Sequence, residues 1–264
     1  MKHTRHTSSY VGVCLLVGCL LGTVGHLMAT QTRNQRRICV RPPANVVAWW
    51  PGNTDAQDIS GNHEDAVPQP GAQAGVPGLI AGAFQFDGLA GIADTPVLLP
   101  QQGTIELWVH PVALTSDHGI LGTFGTANGD DRLWIGATGP SGGVGVGPNR
   151  LVVNLGSRSV NDIDIPTPLS VGTWTHLALT FDYSADQYTV YVNGVAVVTS
   201  TAARNAPTHA VSFGALTSDF GQSFFFPGLL DEITLYDRVL EASEIDAIFH
   251  AGSAGKCHTN RRRR

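Results

Sequence analysis

PGLLDEITLYDRVLEASEIDAIFHAGSAGKC, residues 227–257, contains the signals of a core strand, a short helix and a closing cysteine. Regular alternation along the strand places on one face the side chains of Leu229, Asp231, Ile233 and Leu235. A carboxylate among core side chains is costly unless it is paired, hydrogen-bonded or bound to a metal. Asp231 is therefore predicted to have a partner.

The helix is predicted from Glu241 to His250, because apolar side chains recur on one face and Gly252 provides a stop. Those apolar side chains are Ile245, Ile248 and Phe249. This helix is expected to cap a domain that consists otherwise of strands.

Short alternating segments upstream predict a series of antiparallel strands. Apolar residues occupy every second position in Thr104–His110 and in Thr175–Asp182. Two more strands, at 188–192 and 195–199, flank Asn193-Gly194, which is typical of a two-residue hairpin turn. Because helices do not separate the strands, the pattern predicts an all-β fold, a two-sheet antiparallel jelly-roll sandwich with one short C-terminal helix.

Composition agrees with one large, turn-rich β domain. The chain has 264 residues, of which 42% are hydrophobic and 14% charged, with 31 Gly and 15 Pro. A net charge of −5 gives no general electrostatic attraction to nucleic acid or to an anionic membrane. Residues 258–264, which end in four arginines, are predicted to form a solvated basic tail.

Residues 1–30 are predicted to be a signal peptide or an N-terminal anchor, because Lys2 and Arg5 precede an apolar run from Tyr10 to Ala29. Cleavage near Ala29 would release a secreted or cell-surface protein, in the periplasm or outside the cell. An uncleaved run approaches the ~20 residues that span a bilayer, so membrane anchoring is the alternative. Lipid attachment at Cys19 ranks third, because apolar sequence continues past it.

Two cysteines remain after removal of such a signal. Cys39 and Cys257 bracket nearly all of the predicted strands, an arrangement expected of a disulfide in an oxidising compartment. We predict that they pair.

Several short motifs occur in an order that is typical of one family. They are Val47-Ala48-Trp49-Trp50-Pro51-Gly52, Phe84-Gln85-Phe86-Asp87-Gly88, Thr104-Ile105-Glu106-Leu107-Trp108-Val109, Trp174-Thr175-His176, Tyr191-Val192-Asn193-Gly194 and Leu230-Asp231-Glu232. Together they resemble the LamG-like, concanavalin A-like jelly-roll domains of secreted bacterial proteins. The resemblance covers residues 46–257, which leaves 31–45 as a linker. It implies two curved antiparallel sheets, often a structural calcium ion, and binding of carbohydrate or protein at cell surfaces.

A calcium site is predicted from this resemblance together with the oxygen ligands that a hard cation prefers. Asp58 and Asn62 lie in an early turn rich in Asp and Asn, and Asp231 would supply the third ligand from the last strand. The alternative is that Asp58 and Asn62 stabilise their own turn, while Asp231 accepts hydrogen bonds from backbone N–H groups.

Catalysis finds little support in the sequence. Asp162 and Asp164 share a strand face, as a glycosidase pair would, but Pro166 occupies the position of the third acid in laminarinase-like enzymes of this fold. The Gly-x-Ser-x-Gly match around Ser141 lacks the helix that a nucleophile elbow requires. The histidines show no spacing typical of a catalytic zinc site.

Carbohydrate binding through an aromatic ring is the alternative chemistry. Trp49 and Trp174 belong to family motifs and are predicted to be structural, whereas Trp134 borders a polar loop and is the candidate ligand contact. We therefore predict a non-enzymatic extracellular domain that binds a glycan or an extracellular protein. A carbohydrate-active hydrolase and a structural cell-envelope protein are the alternatives.

Overall fold

The computed structural model describes residues 38–123, 133–142, 147–155, 163–201, 207–217 and 223–258. The strands in chain order are β1 (Val46–Trp50), β2 (Val67–Pro68), β3 (Ala72–Pro77), β4 (Gly82–Asp87), β5 (Ala93–Leu98), β6 (Gln102–Pro111), β7 (His118–Thr123), β8 (Leu133–Ala137), β9 (Arg150–Leu155), β10 (Ile163–Pro168), β11 (Thr175–Asp182), β12 (Gln187–Val192), β13 (Val195–Ser200), β14 (Ala210–Phe213), β15 (Ala215–Thr217), β16 (Ser223–Phe225) and β17 (Pro227–Tyr236). One α-helix, α1 (Ala242–Ala251), and a short 3₁₀ turn, Gly252–Ala254, follow the last strand.

The strands form two large antiparallel sheets and one small hairpin. The eight-stranded sheet has the order β13-β12-β11-β6-β17-β4-β3, with β1 also paired to β17. The seven-stranded sheet has the order β10-β9-β8-β7-β14-β5-β2, and β15 and β16 form a separate two-stranded sheet. The predicted all-β sandwich with one C-terminal helix is confirmed.

The core lies between the two sheets and consists of apolar side chains at every second position of most strands. Phe84 of the eight-stranded sheet meets Phe213 of the seven-stranded sheet, with ring centroids 5.1 Å apart. Trp50 packs on the same Phe213 ring at 5.5 Å. Burial of side chains of this size is the main source of stability in a fold of this type.

The hairpin and the helix occur where the sequence predicts them. Asn193 and Gly194 both have positive φ, 50° and 79°, as a two-residue primed turn between β12 and β13 requires. Helix α1 begins one residue after the predicted start, and Glu244 accepts a hydrogen bond from the backbone N–H of Glu241. Its buried face joins a cluster with Tyr191 on the outer side of the eight-stranded sheet.

Regular alternation fails in the last strand, and the predicted placement of Asp231 among core residues is wrong. Leu230 and Ile233 both point into the core, three positions apart, because the pairing of β17 with β6 shifts in register between Asp231 and Thr234. Glu232 sits in this bulge with φ 58°. Asp231 instead pairs with Trp108 and faces outward from the sandwich.

Candidate functional site

A buried charge cluster fastens the C-terminal segment to the outer side of the eight-stranded sheet. Lys256 Nζ lies 2.5 Å from Glu106 Oε1 and 3.3 Å from Glu232 Oε2. Lys256 is 2% exposed, Glu106 0% and Glu232 1%, so this is a fully buried ion-pair triad. We call Lys256, Glu106 and Glu232 the C-terminal clamp.

Further donors complete the hydrogen bonding of the two carboxylates. His176 Nε2 lies 3.2 Å from Glu106 Oε2. Trp49 Nε1 donates to Glu232 Oε2 at 3.1 Å, and His258 Nε2 lies 3.3 Å from Glu232 Oε1. Buried charges are tolerated only with such complete pairing.

The protonation of the clamp follows from its charges. Burial alone would raise the pKa of Glu106, but the positive charge of Lys256 and the hydrogen bond from His176 outweigh it and lower the pKa below its usual value. Burial would likewise lower the pKa of Lys256, but the two glutamates outweigh it and raise that pKa. Both shifts favour the charged pair.

The predicted disulfide lies next to the clamp. Cys39 and Cys257 are bonded, and their Cα atoms are 4.9 Å apart. Val40 forms a parallel bridge with Lys256, so the two ends of the domain meet at one place. The clamp therefore holds the chain segment that the disulfide closes, a structural function rather than a ligand site.

The sequence contains a signal for the clamp that our reasoning missed. Glu106 stands in the middle of an otherwise apolar strand, and Lys256 is the one lysine after residue 2. A lone acid in a buried strand and a lone base beside the closing cysteine could have been predicted to pair.

Asp58 is occupied by hydrogen bonds from its own surroundings. Its Oδ1 accepts the backbone N–H groups of Trp49 and Ser60, both at 2.8 Å. Its Oδ2 accepts the hydroxyl of Ser60 at 2.6 Å and the backbone N–H of Glu64 at 3.2 Å. The carboxylate thus fixes its turn against β1.

Asn62 is exposed, and its side-chain amide donates to the backbone carbonyls of Val46 and Val47, at 3.2 and 2.8 Å. It ties the same turn to β1.

Asp231 is fully buried and has one hydrogen-bond partner. Its Oδ2 accepts the backbone N–H of Ile80 at 2.8 Å, whereas Oδ1 has no partner among the described residues. Burial raises the pKa of Asp231 to about 8, and the hydrogen bond from Ile80 opposes this only in part. The partner that the sequence required for Asp231 is therefore a backbone N–H group.

The three predicted calcium ligands do not form a ready site. Within the described ranges, no three His, Cys, Asp or Glu side chains are arranged to hold a metal ion. Asp58 contacts its own turn and β1, whereas Asp231 contacts the loop that contains Ile80. Calcium binding through Asp58, Asn62 and Asp231 stays a prediction.

Thermal unfolding of the full chain in calcium and in excess chelator tests this prediction. A ligand that binds the native state raises its stability, so bound calcium should raise the unfolding midpoint. Asp231→Asn should then abolish the rise, while Asp94→Asn, an exposed control in β5, should keep it. Equal midpoints with and without calcium would leave Asp231 as a hydrogen-bonded structural acid.

Trp134, the predicted ligand contact, lies under the β15–β16 hairpin. Its side chain is 8% exposed and packs against Val152 and Leu216 in a small cluster. The ring of Phe224 stacks on it at 6.0 Å. The indole N–H has no acceptor among the described residues. A ligand role for Trp134 stays a prediction, and it would require the hairpin to move.

The residues considered for catalysis do not assemble a site in the described chain. Asp162 lies outside the described residues. Asp164 is exposed on β10, with Oδ1 3.9 Å from Arg150 Nε. Ser141 lies in an exposed turn before β9.

A row of outward side chains crosses the eight-stranded sheet beside α1. Leu229 of β17 pairs with His110 of β6 on one side and with Gln85 of β4 on the other, and Gln85 pairs with Gln73 of β3. Trp174, directly before β11, places its ring 5.1 Å from the imidazole of His110. We call Trp174, His110, Leu229, Gln85 and Gln73 the outer strip.

The outer strip is accessible to solvent. Gln73 and Gln85 are exposed, and the other three side chains are partly exposed. Helix α1 covers the neighbouring row instead, where the ring of Phe249 lies 5.9 Å from that of Trp108. His110 Nδ1 is buried without a partner in the described part of the chain.

Gln85 and Gln73 form one end of the strip, which we call the amide end. This end borders a groove of about 300 Å³, lined by Gly71, Ala72, Gln73, Gln85 and Asp87. Gln73 Nε2 donates to Gln85 Oε1 at 2.7 Å, which orients the two amides. The sequence analysis predicted that Trp174 is structural, and it did not identify the other members of the strip. Alternation in Phe84-Gln85-Phe86-Asp87 was the available signal, because buried phenylalanines force Gln85 and Asp87 outward.

A model of the concanavalin A-like lectin/glucanases superfamily matches residues 87–246, more than half of the chain. The chain belongs to the concanavalin A-like lectin/glucanase superfamily. The outer strip and the C-terminal clamp thus lie on the outer side of one sheet of a jelly roll of this superfamily.

Two similar relatives are pentraxin-related protein PTX3 of Bos taurus and of Mus musculus. The bovine protein is 28% identical over 193 residues, which cover 62% of this chain and 47% of the relative. The mouse protein is 28% identical over 120 residues, which cover 41% of this chain and 30% of the relative. The chain therefore spans less than half the length of either protein.

Solved structures share the fold at low identity. Domain 4 of AbnA, a GH43 extracellular arabinanase from Geobacillus stearothermophilus solved with arabinotriose, is 24% identical with a TM-score of 0.59, covering 76% of this chain and 97% of that one. A Trypanosoma rangeli sialidase mutant is 18% identical with a TM-score of 0.62, covering 81% and 36%. Botulinum neurotoxin type C, whose cell entry depends on two ganglioside molecules, is 12% identical with a TM-score of 0.59, covering 78% and 51%.

Hydropathy adds one finding on membranes. In the parts of the chain that the structure describes, no helix has the length and apolar character needed to cross a bilayer.

Proposed function

We propose that this chain is an extracellular, non-catalytic binding domain and that it binds carbohydrate on the outer strip. The observation that carries the proposal is the open row from Trp174 through His110 to Gln85, which combines an aromatic ring with hydrogen-bonding side chains. Sugars present apolar C–H faces and hydroxyl groups, which such a surface complements.

The state of Glu106 and Glu232, the two acids of the C-terminal clamp, supports a function without catalysis. A glycosidase needs two accessible carboxyl groups about 5 to 9.5 Å apart across the scissile bond. Glu106 and Glu232 are instead buried under the C-terminal segment, and both form ion pairs with Lys256. A carboxylate held in this way cannot reach a substrate.

Two findings support an extracellular setting and a glycan ligand. The Cys39–Cys257 disulfide is of a kind that persists in oxidising compartments. The arabinanase domain of similar fold was solved with arabinotriose, and cell entry of the neurotoxin of similar fold depends on interaction with two ganglioside molecules.

An extracellular protein is the second candidate ligand. Val112 and Val171, 57% and 54% exposed, lie on the two loops that meet near the Trp174 end, where the N–H of Gly172 bonds to the carbonyl of Pro111. Exposed apolar side chains beside an aromatic ring are typical of protein contacts.

We expect Trp174→Ala to weaken glycan binding by about tenfold or more, because loss of an aromatic stacking contact has an effect of this size. The measurement is binding of the full chain to a panel of neutral oligosaccharides, with product analysis of the same samples. Trp174→Phe should retain part of the affinity, and Leu98→Ala, an exposed apolar control on β5, should retain all of it.

Native affinity in a folded Trp174→Ala variant would exclude the outer strip as the site. Release of shorter products would favour the hydrolase alternative. Absence of binding to every glycan in the panel would overturn the carbohydrate proposal.

A further inference from the structure

The outer strip runs across the strands rather than along one of them. Its members come from β6, β17, β4 and β3, with Trp174 beside β11, so four strand-to-strand steps separate its ends. Neighbouring strands lie about 4.8 Å apart, which gives the strip a length of roughly 19 Å. The spacing between neighbouring strands is close to the length of one pyranose unit in an extended oligosaccharide. The strip therefore matches about four sugar units.

The two ends of the strip differ in chemistry. At one end, Trp174, His110 and Leu229 offer an aromatic and apolar surface. At the other end, Gln85 and Gln73 present amide groups that both donate and accept hydrogen bonds beside the groove. A chain bound across the strip would stack at the first end and form hydrogen bonds at the second.

A negative charge stands at the amide end. Asp87 Oδ1 accepts the backbone N–H groups of Leu89, Ala90 and Gly91 at 2.8 to 2.9 Å. These hydrogen bonds lower the pKa of Asp87, so its carboxylate is ionised at neutral pH. Its Oδ2 accepts no hydrogen bond from the described residues. An ionised carboxylate with a free oxygen accepts hydrogen bonds from sugar hydroxyls and repels an anionic glycan.

We propose that the outer strip is selective for a linear, neutral oligosaccharide of about four units, laid perpendicular to the strands, with Asp87 excluding anionic chains. This inference rests on the proposed function and adds the length, direction and charge of the ligand. Recognition is shared between stacking at Trp174 and hydrogen bonding at Gln85, Gln73 and Asp87.

Chain length gives the first test. Binding of the full chain is measured by calorimetry with gluco-, xylo-, manno- and arabino-oligosaccharides of two to six units. For the series that binds, affinity should rise about tenfold or more from two units to four and then level off, because longer chains extend beyond the strip. Gln85→Ala should reduce the rise in affinity with oligosaccharide length. Gln187→Ala, an exposed control at the start of β12, should leave that rise unchanged.

Charge gives the second test. Oligogalacturonates of matched length serve as the anionic probes, and the native chain should bind them more weakly than the neutral series. Asp87→Asn should reduce the ratio of the affinities for neutral and anionic oligosaccharides about fivefold, which is the effect of one exposed charge at close range. Asp94→Asn on β5 is the matched control and should leave the selectivity unchanged.

The outcomes separate the inference from the proposed function. If neutral chains bind at a site sensitive to Trp174→Ala but affinity is independent of length, or anionic chains bind equally well, the inference is overturned and the binding function stands. If none of the oligosaccharides binds, the proposed function fails, and the inference fails with it.

Discussion

Replacing Lys256 by methionine is expected to lower the free energy of unfolding by about 3 to 5 kcal/mol, because it leaves two buried carboxylates without their cation. Glu106 and Glu232 are both fully buried and within 3.3 Å of the ammonium group. Methionine keeps the length and apolar stem of the side chain, so loss of charge is the main change. Denaturant unfolding of the full chain measures the effect.

Arg238→Met is the matched control. Arg238 forms two hydrogen bonds of 2.7 Å with Glu244, but this ion pair is partly exposed. Exposed pairs contribute about 1 kcal/mol or less. Equal losses in the two variants would show that the clamp stabilises the protein no more than a surface ion pair does.

The contribution of Glu106 to the pH dependence of stability should change sign in Lys256→Met. In the native chain the pKa of Glu106 is lowered by folding, so its stabilising effect is present above pH 4.5, the ordinary pKa, and is lost as the pH falls through the folded value. Without the lysine, burial should raise the pKa of Glu106 above 4.5, so that its contribution to stability falls as the pH rises above that value. The difference in unfolding midpoint between the native chain and Lys256→Met, measured below and above pH 4.5, gives the sign, because Asp231, whose pKa burial raises to about 8, titrates in both proteins.

Removal of the disulfide is the second large effect that we expect. Cys39 and Cys257 are 218 residues apart, and closing a loop of this length restricts the unfolded chain. Chain entropy gives about 5 kcal/mol for such a loop, so the Cys39→Ser, Cys257→Ser double variant should lose stability of this order. Structure remaining in the unfolded chain would reduce the loss.

Reducing agent provides the internal control. It should lower the unfolding midpoint of the native chain toward that of the double variant and leave the double variant unchanged. A native midpoint that is insensitive to reductant would contradict a stabilising role for the disulfide.

The two effects should not be additive, because Lys256 is adjacent to Cys257. Loss of the disulfide frees the segment that places the ammonium group between Glu106 and Glu232. Lys256→Met should therefore have a smaller effect in the double serine variant than in the native chain. An unchanged effect would show that the clamp forms independently of the disulfide.

Much of the fold could be predicted from local signals. Alternation in Thr104–His110 predicts a strand, and β6 contains it. The dipeptide Asn193-Gly194 predicts a turn with positive φ at both residues, because few other pairs adopt that conformation at low cost. The pairing of Cys39 with Cys257 followed from their positions at the two ends of the domain.

The candidate site could be predicted only in part. Asp231 was expected to need a partner, and it has one, but alternation placed it on the wrong face. A bulge at Glu232 inserts one extra residue, and no local sequence pattern predicts this bulge because it depends on how β17 pairs with β6.

Trp134 was predicted to contact a ligand because of its neighbouring loop, whereas its burial depends on a hairpin that begins about 80 residues later in the chain.

By itself, the sequence determined the strands at Thr104–His110 and Thr175–Asp182, the Asn193-Gly194 hairpin, the terminal helix and the disulfide, because each depends on a periodicity, a turn or a residue type that acts locally or at the ends of the domain. Only the tertiary structure decided which outward side chains meet. Glu106 and Lys256 are 150 residues apart, and the outer strip combines residues of five different chain segments. Their meeting depends on strand order and register, which long-range packing selects.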